Sequence, residues 1–79
     1  MRLDKYLKVS RIIKRRTVAN EACDSGRVML NGKLARASAE VKAGDVIEIA
    51  FGTKAVKVKV TSVQDAIRKE DAKEMFEYL

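Results

Sequence analysis

The chain contains no histidine, and so lacks the commonest general base and metal ligand of proteins. It has no proline or tryptophan, and its single cysteine, Cys23, allows neither an internal disulfide nor a zinc site built from several thiolates. The four glycines stand far apart, so no glycine-rich phosphate-binding loop occurs. From these absences we expect no enzymatic activity, no cofactor and no metal.

Long apolar runs are absent as well. No segment approaches the roughly 20 apolar residues of a membrane span, and the start of the chain does not resemble a signal peptide. With 79 residues the sequence has room for one small domain, which we place over residues 1–79. A single cysteine fits a reducing compartment. We therefore expect a soluble, cytoplasmic protein.

Positive charge is concentrated at one end of the chain. The first sixteen residues carry seven basic side chains and one acid, which together account for the whole net charge of +6. The remaining 63 residues balance at ten basic and ten acidic side chains. A charge excess confined to one end attracts a polyanion and steers its approach. This pattern favours nucleic acid as the partner, with an anionic membrane as the second choice.

Helical periodicity marks the N-terminal third. It predicts a first helix over residues 2–9, which residues 10–16 link to the next element or extend. A second helix is predicted over Thr17–Ser25, with Thr17 as its N-cap and Gly26 in a left-handed conformation after its end. The apolar side chains expected to enter the core here are Leu3, Tyr6, Leu7, Ile12 and Ile13.

From Gly26 onward the apolar period becomes alternating, which predicts strands. Asn31-Gly32 is a strong hairpin signal, because both positions tolerate positive φ. Gly44-Asp45 and Gly52-Thr53 mark further turns around strands at 46–51 and 56–60.

A final short helix is expected, capped by Asp71 and ending in Met75, Phe76, Tyr78 and Leu79. The predicted fold class is α+β: two N-terminal helices, a small, mostly antiparallel sheet and a short C-terminal helix.

The basic cluster is the main functional signal. If the first helix continues, Lys8, Arg11 and Arg15 are spaced i, i+3, i+7 and line one helical face, flanked by Lys5 and Arg16. Such a stripe would meet two adjacent phosphates. Arginine favours forked contacts to phosphate and stacking on bases. The alternative is a solvated helical face neutralised by its own acids.

Self-neutralisation of this cluster is poor in sequence terms, because only Asp4 and Glu21 lie near it. We therefore prefer a binding surface to a merely solvated one. The hypothesis requires that the guanidinium groups do not point in opposite directions. It also requires that the protein's own carboxylates do not tie them up.

Lys54, Lys57 and Lys59 form a second basic run. Alternating lysines on the outer face of a strand commonly protect a sheet from edge-to-edge aggregation, and we prefer that interpretation to a role in binding.

Aromatic stacking on bases is not favoured, because Tyr6, Phe51 and Phe76 occupy core-like positions. Cys23 is expected to be a small core residue as well. These positions favour recognition of a folded RNA by its shape and phosphates.

Four motifs in order resemble the S4-type RNA-binding domain family. They are Arg2-Leu3-Asp4-Lys5-Tyr6-Leu7; Arg16-Thr17 followed by Ala19 and Cys23; Gly26-Arg27-Val28 with Leu30-Asn31-Gly32; and Val41-Lys42-Ala43-Gly44-Asp45-Val46-Ile47. Met29, Leu30 and Cys23 depart slightly from the family's pattern.

The resemblance implies the fold of that family, in which two angled helices (the alpha-L motif) pack on a small sheet and dock on structured RNA. Carried over by position, the RNA-binding residues would be Arg2, Asp4, Lys5, Lys8, Arg11, Arg15 and Arg16. Asp4 would orient an arginine or contact RNA indirectly, since a carboxylate repels phosphate.

The tail is similar to the stand-alone, heat-shock-like branch of this family, and within it to bacterial ribosome-associated quality control P-site factors. This similarity implies binding to large-subunit ribosomal RNA and to peptidyl-tRNA after a stalled ribosome has split. It further implies a tRNA-recruiting quality-control protein as partner, C-terminal tailing of the nascent chain without a template, and a monomer.

Three alternatives stay open from the sequence. The chain could be another ribosome- or tRNA-binding module without a role in rescue. It could lie on anionic membranes, although Leu3, Tyr6 and Leu7 offer only a small apolar face for that. RNA-modifying enzymes such as pseudouridine synthases also carry this domain, but attached to a catalytic domain for which 79 residues leave no room.

Overall fold

A computed structural model describes residues 1–64 and 75–79 of the chain. Two helices come first and five short strands follow in this part of the chain. The elements in chain order are α1 Leu3–Val9, α2 Arg16–Asp24, β1 Val28–Leu30, β2 Lys33–Leu34, β3 Val46–Phe51, β4 Lys54–Val60 and β5 Phe76–Tyr78.

The start of α1 is tied to the loop that precedes β3. Arg2 forms an isolated antiparallel bridge with Glu40, and the Leu3 N–H donates to the Ala39 carbonyl at 2.8 Å. The N-terminal ammonium of Met1 lies 2.8 Å from Glu40 Oε1. These contacts fix the chain where it enters the helix, so Arg2, the first basic residue, has a defined position in the domain.

Residues 10–15 link α1 to α2 and do not extend the first helix. α1 ends at Val9, with Ser10 as its C-cap. Arg11 then takes a positive φ of 63°. The chain returns to the core at Ile13, which is buried, while Ile12 packs partly against the core.

The second helix begins at Arg16, and Thr17 is not its N-cap as predicted. Arg15 occupies the N-cap position and no side chain caps the helix start. The C-terminal expectation is confirmed: Gly26 has a φ of 82°, and the Arg27 N–H donates to the Ala22 carbonyl at 3.0 Å. A residue free to adopt positive φ is what lets the chain turn here into β1.

The strands form one antiparallel sheet in the order β2-β1-β3-β4-β5. The predicted hairpin turn at Asn31-Gly32 is confirmed, with φ of 53° and 82° at the two residues. The turn at Gly52 joins β3 to β4, and Phe51 pairs with Lys54 at its base.

The Asn31 turn is also tied to the Gly44-Asp45 turn. Asn31 Nδ2 donates to Asp45 Oδ1 at 3.1 Å, and the Val46 N–H donates to Asn31 Oδ1 at 2.9 Å. The other Asp45 oxygen accepts the Lys42 N–H at 2.8 Å. The two turn motifs of the sequence therefore form one hydrogen-bonded corner.

The predicted C-terminal helix is wrong over its last residues, because Phe76–Tyr78 form strand β5. Phe76 pairs with Val60 and Tyr78 with Val58. The expected cap at Asp71 lies outside the described residues. A short apolar run such as this one fits a strand as well as a helical turn, and the free edge of β4 decides between them.

One face of the sheet and the two helices enclose the core. Phe51 was expected inside it but is 44% exposed, because burial on that face of β3 ends at Ile49. The buried apolar side chains are Leu3, Tyr6, Leu7, Ile13, Ala19, Ala22, Cys23, Val28, Ala37, Val41, Ile47, Ile49, Val58, Val60, Met75 and Phe76.

Candidate nucleic-acid interface

A buried carboxylate lies at the centre of the candidate site. Asp4 is in the first turn of α1, and its side chain is only 3% exposed. Its Oδ1 accepts the N–H of Lys5 at 2.8 Å. A carboxylate at this depth needs several donors to compensate for its lost hydration. The helix therefore supplies a fixed acceptor just below the surface.

Two arginines from different elements share this carboxylate. Arg2 Nε and Nη2 donate to Asp4 Oδ1 and Oδ2 at 3.2 and 3.4 Å, and Arg16 Nε donates to Oδ2 at 3.4 Å. The Arg2 and Arg16 side chains are still 50% and 48% exposed. One negative charge between two positive ones leaves a net positive charge, so the pair is oriented without being neutralised.

Asn20 completes this group, which we term the Asp4 cluster (Asp4, Arg2, Arg16 and Asn20). Asn20 Nδ2 donates to Asp4 Oδ2 at 3.3 Å. Burial by itself raises the pKa of Asp4, but hydrogen bonds from Asn20, Arg16 and the Lys5 N–H, with the Arg16 charge, bring it below its usual value. Asp4 is therefore an anion at neutral pH, held between the two guanidinium groups.

The Asp4 cluster opens on a shallow surface groove of about 370 Å³. Its walls come from α1 and the first turns of α2, and the lining residues are Asp4, Arg16, Thr17, Asn20 and Glu21. The guanidinium group of Arg16 is thus accessible to a ligand that follows this groove.

The other predicted binding residues do not form a helical stripe. Lys8 is in α1, whereas Arg11 lies in the link and Arg15 at the N-cap of α2, so their i, i+3, i+7 spacing does not place them on one face. All three are exposed, and none of their side chains makes a hydrogen bond or ion pair with another residue of the described ranges 1–64 and 75–79. Lys5 is half-buried beside the Asp4 cluster.

For the pair that the structure brings together, the first requirement set by the sequence is met, but the second is not fully met, because Asp4 forms an ion pair with each arginine. Arg2 and Arg16 converge on one point, and the single carboxylate there cannot neutralise both. Sequence reasoning missed Asn20, although it stands one helical turn after Arg16 and so shares its face of α2. That spacing is the signal that would have identified it.

The comparison with known proteins agrees with this geometry. The S4 domain family matches residues 1–47, which include both helices, the first hairpin and the Asp4 cluster. The chain belongs to the S4 domain family. The predicted resemblance is thereby confirmed.

Several curated relatives match over the whole chain. An RQC P-site tRNA stabilizing factor of Streptococcus pneumoniae is 57% identical over 79 residues, which cover 100% of this chain and 90% of that protein. One of Bacillus subtilis is 52% identical, with 100% and 92% covered. Among solved structures, the trimeric heat shock protein 15 of Vibrio cholerae superposes with a TM-score of 0.92 at 28% identity, covering 100% of this chain and 81% of that one.

The second basic run of this S4 domain is balanced by acids. Lys57 Nζ lies 3.8 Å from Glu48 Oε1, and Lys59 pairs in register with Glu77. Lys54 does not share their face, since side chains alternate along β4. β3 pairs with β4 from Lys54 to Lys59, whereas β5 pairs only with residues 58–60 of β4. Lys59 therefore lies between two paired strands, and the suggested protection of an edge does not apply to it; on the β5 side, no described strand pairs with Lys54. The outer face therefore lacks the concentrated positive charge of the basic segment, residues 2–16.

The single cysteine of the S4 domain is a core residue. Cys23 is buried, and burial, with the charges of Asp4 and Asp24, raises the pKa of its thiol to about 11. Within the described part of the chain, no group of three or more cysteine or acidic side chains is placed to hold a metal ion. Nor does that part contain a helix long and apolar enough to cross a membrane.

Proposed function

We propose that this protein binds structured RNA through its basic segment (residues 2–16) together with the Asp4 cluster. The observation that carries the proposal is the shared carboxylate, which orients Arg2 and Arg16 while leaving each side chain about half exposed. Forked guanidinium groups held in a fixed direction suit bidentate contacts to phosphate. Lys8, Arg11 and Arg15 would add contacts to neighbouring phosphates.

We further propose that the RNA is that of the large ribosomal subunit carrying peptidyl-tRNA. The support is the 57% identity to a protein named RQC P-site tRNA stabilizing factor, over the full length of this chain. On this proposal the chain is a cytoplasmic, monomeric, non-catalytic factor with a single S4-like domain over residues 1–79. It would work with a tRNA-recruiting quality-control protein while residues are added to the stalled nascent chain without a template.

The physical role proposed for the domain is that of a rigid clamp. Main-chain hydrogen bonds hold the strand-like entry at Arg2 to the loop before β3, and Arg16 lies in the first turn of α2. Because the arginines are oriented before RNA arrives, little side-chain entropy is lost on binding. A clamp of this kind stabilises a bound tRNA by joining it to ribosomal RNA and needs no chemical step.

The direct test is sedimentation of the tagged, full-length protein from bacterial lysate, followed by identification of the RNA that travels with it. The expected result is large-subunit RNA with one tRNA and no small-subunit RNA. The matched variant is Arg16→Ala, which should sediment less at a temperature at which it is fully folded. Its Tm should be modestly lower, because the buried Asp4 carboxylate loses one of its donors. Recovery of intact seventy-S ribosomes or messenger RNA alone would contradict the large-subunit proposal.

Tailing needs a separate experiment, since ribosome binding alone does not establish a role in rescue. Cells lacking the protein are given a reporter that stalls translation, and the tails on its released product are measured after complementation with the parent or Arg16→Ala chain. Tails restored only by the parent chain would support the proposal. Normal tailing without the protein, alongside intact ribosome binding, would instead favour a ribosome-binding module with no role in rescue.

A further inference from the structure

Arg11 occupies a backbone position that an arginine does not favour. Its φ is 63°, one of only two positive φ values at non-glycine residues among the described parts of the chain. The other is Asn31, in the hairpin turn, and asparagine tolerates this region far better than arginine. For a side chain with a Cβ and no local hydrogen bond to offer, the left-handed conformation is unfavourable.

This conformation follows directly from the way α1 ends. Ser10 is the C-cap, and the Arg11 N–H donates to the Lys8 carbonyl at 3.1 Å, so Arg11 stands where helices commonly place a glycine. The Ile13 N–H donates to the Leu7 carbonyl at 3.0 Å, which closes the turn from the other side. A glycine at position 11 would satisfy the same hydrogen bonds without a strained backbone.

The flanking residues prevent Arg11 from relaxing. Ser10 is 2% exposed and its hydroxyl donates to the Leu7 carbonyl at 3.3 Å. Ile13 is 6% exposed and belongs to the core. The backbone on both sides is therefore anchored, and the turn between them presents the Arg11 side chain to solvent, while Ile12 packs partly against the core.

No contact in the described part of the chain explains why that side chain is an arginine. It is exposed, and it forms no hydrogen bond or ion pair with any residue in the described ranges 1–64 and 75–79. An unfavourable backbone kept at an exposed cation is the pattern expected when the side chain acts on something outside the protein. The surrounding excess of positive charge makes a polyanion the fitting ligand.

We propose that Arg11 is a second phosphate contact, positioned by the turn after α1 and independent of the Asp4 cluster, at a position where glycine would give a more stable fold. The inference rests on the proposed RNA-binding function. The backbone conformation of Arg11 lowers the stability of the fold, whereas its side chain contributes to RNA binding. Arg2 and Arg16 are oriented by a carboxylate, whereas Arg11 is directed by its backbone alone.

The proposal makes two opposite predictions for one substitution. Arg11→Gly should raise the Tm by about 2–6 °C, because relief of the left-handed strain exceeds the extra entropy of an unfolded glycine. The same variant should bind RNA about five- to tenfold more weakly. The slope of log affinity against log salt concentration should become shallower by about 0.9. Binding is measured by fluorescence anisotropy with a labelled RNA hairpin and with purified large ribosomal subunits.

Two variants serve as controls. Lys14→Gly removes one positive charge from the same link at a residue without positive φ, so its Tm should fall. Arg11→Lys keeps the charge and the backbone strain, so its Tm should stay unchanged and most of the affinity should remain. A merely structural role for Arg11 would not raise stability and lower affinity together.

The failure of this inference can be distinguished from failure of the proposed function. If Arg16→Ala weakens binding while Arg11→Gly does not, the Arg11 contact is wrong and RNA binding stands. If Arg11→Gly fails to raise the Tm, the assignment of a strained position is wrong. If neither Arg16→Ala nor Arg11→Gly changes binding to the hairpin or the subunit, the proposed interface itself is wrong.

Discussion

The Tyr6 hydroxyl donates a hydrogen bond of 2.6 Å to the main-chain carbonyl of Met75, 69 positions away along the chain. It joins the buried face of α1 to the start of β5. The same carbonyl accepts the N–H groups of Thr61 and Ser62 at 2.8 and 3.1 Å. One oxygen thus collects donors from α1 and from the segment after β4, and burial raises the pKa of the Tyr6 hydroxyl, which keeps it a donor.

Tyr6→Phe should destabilise the domain without changing its binding surface. The variant loses one buried hydrogen bond, but the Met75 carbonyl keeps its two main-chain donors. We therefore expect a loss near the lower end of the usual range, about 1 kcal/mol, or a Tm lower by roughly 4–8 °C. Thermal unfolding measures the loss of stability, and fluorescence anisotropy with RNA measures the affinity. A change in RNA affinity below the Tm of both proteins would contradict a purely structural role.

Asp4→Asn should weaken RNA binding even though it raises the net positive charge. The neutral amide accepts fewer and weaker hydrogen bonds, so Arg2 and Arg16 are no longer held in one direction. Long-range electrostatics alone predicts the reverse, tighter binding, because a negative charge is removed. Anisotropy with an RNA hairpin at constant salt decides between the two effects.

A matched control separates orientation from charge in this experiment. Glu21→Gln removes an exposed negative charge from the rim of the same groove, but among the described residues the Glu21 side chain forms no hydrogen bond or ion pair with the Asp4 cluster. It should leave affinity unchanged or raise it slightly. If Asp4→Asn and Glu21→Gln both tighten binding to the same extent, Asp4 has no orienting role.

The local features of this fold were predictable because their causes are local. Positive φ is predicted by the residue types at Gly26 and at Asn31-Gly32. The buried face of α1 is predicted by the spacing of Leu3, Tyr6 and Leu7. Nothing in the residue types announces the break after α1, because Arg11 adopts positive φ without being glycine or asparagine. The predicted helical stripe was wrong for that reason.

The candidate site, too, could be predicted from the sequence only in part. The resemblance identified Arg2, Asp4 and Arg16, but only tertiary packing shows that both arginines share one carboxylate. The last strand was mistaken for a helix because its three residues are too few to reveal a period, and pairing with β4 determines their conformation. Residues at a sheet edge depend on partners that the sequence places far away.

RNA binding should depend steeply on salt. If four to six phosphates are neutralised, the slope of log affinity against log salt concentration should be roughly −3 to −5. Arg16→Ala should make the slope shallower by about 0.9. Its Tm should fall modestly, because the buried Asp4 carboxylate loses one of its donors, so the slope is measured below the Tm of both proteins. A flat salt dependence would contradict a phosphate-based interface.

Lys57→Ala should affect neither stability nor RNA binding appreciably. The side chain is 54% exposed and its ion pair with Glu48 is 3.8 Å long, which is typical of a weak surface contact. The expected change in stability is within about 0.5 kcal/mol. Lys8→Ala is the matched comparison, since the Lys8 side chain is exposed in the basic segment and forms no hydrogen bond or ion pair among residues 1–64 and 75–79. Equal loss of affinity in both variants would mean that the outer sheet face also binds RNA.

Acid should remove the stabilisation supplied by the Asp4 cluster. Because the folded-state pKa of Asp4 lies below its ordinary value of 3.8, the stabilisation is complete above that value and is lost as the pH falls through the folded-state pKa. Asp4→Asn lacks this titration. Subtracting its unfolding free energy from that of the parent protein cancels most contributions of the other carboxylates. The difference should be constant from pH 7 to about 5 and shrink below about 4, with a slope of at most about 1.4 kcal/mol per pH unit. A difference that grows in acid would mean that Asp4 is destabilising as an anion, and that its pKa is raised by burial and not lowered by its donors.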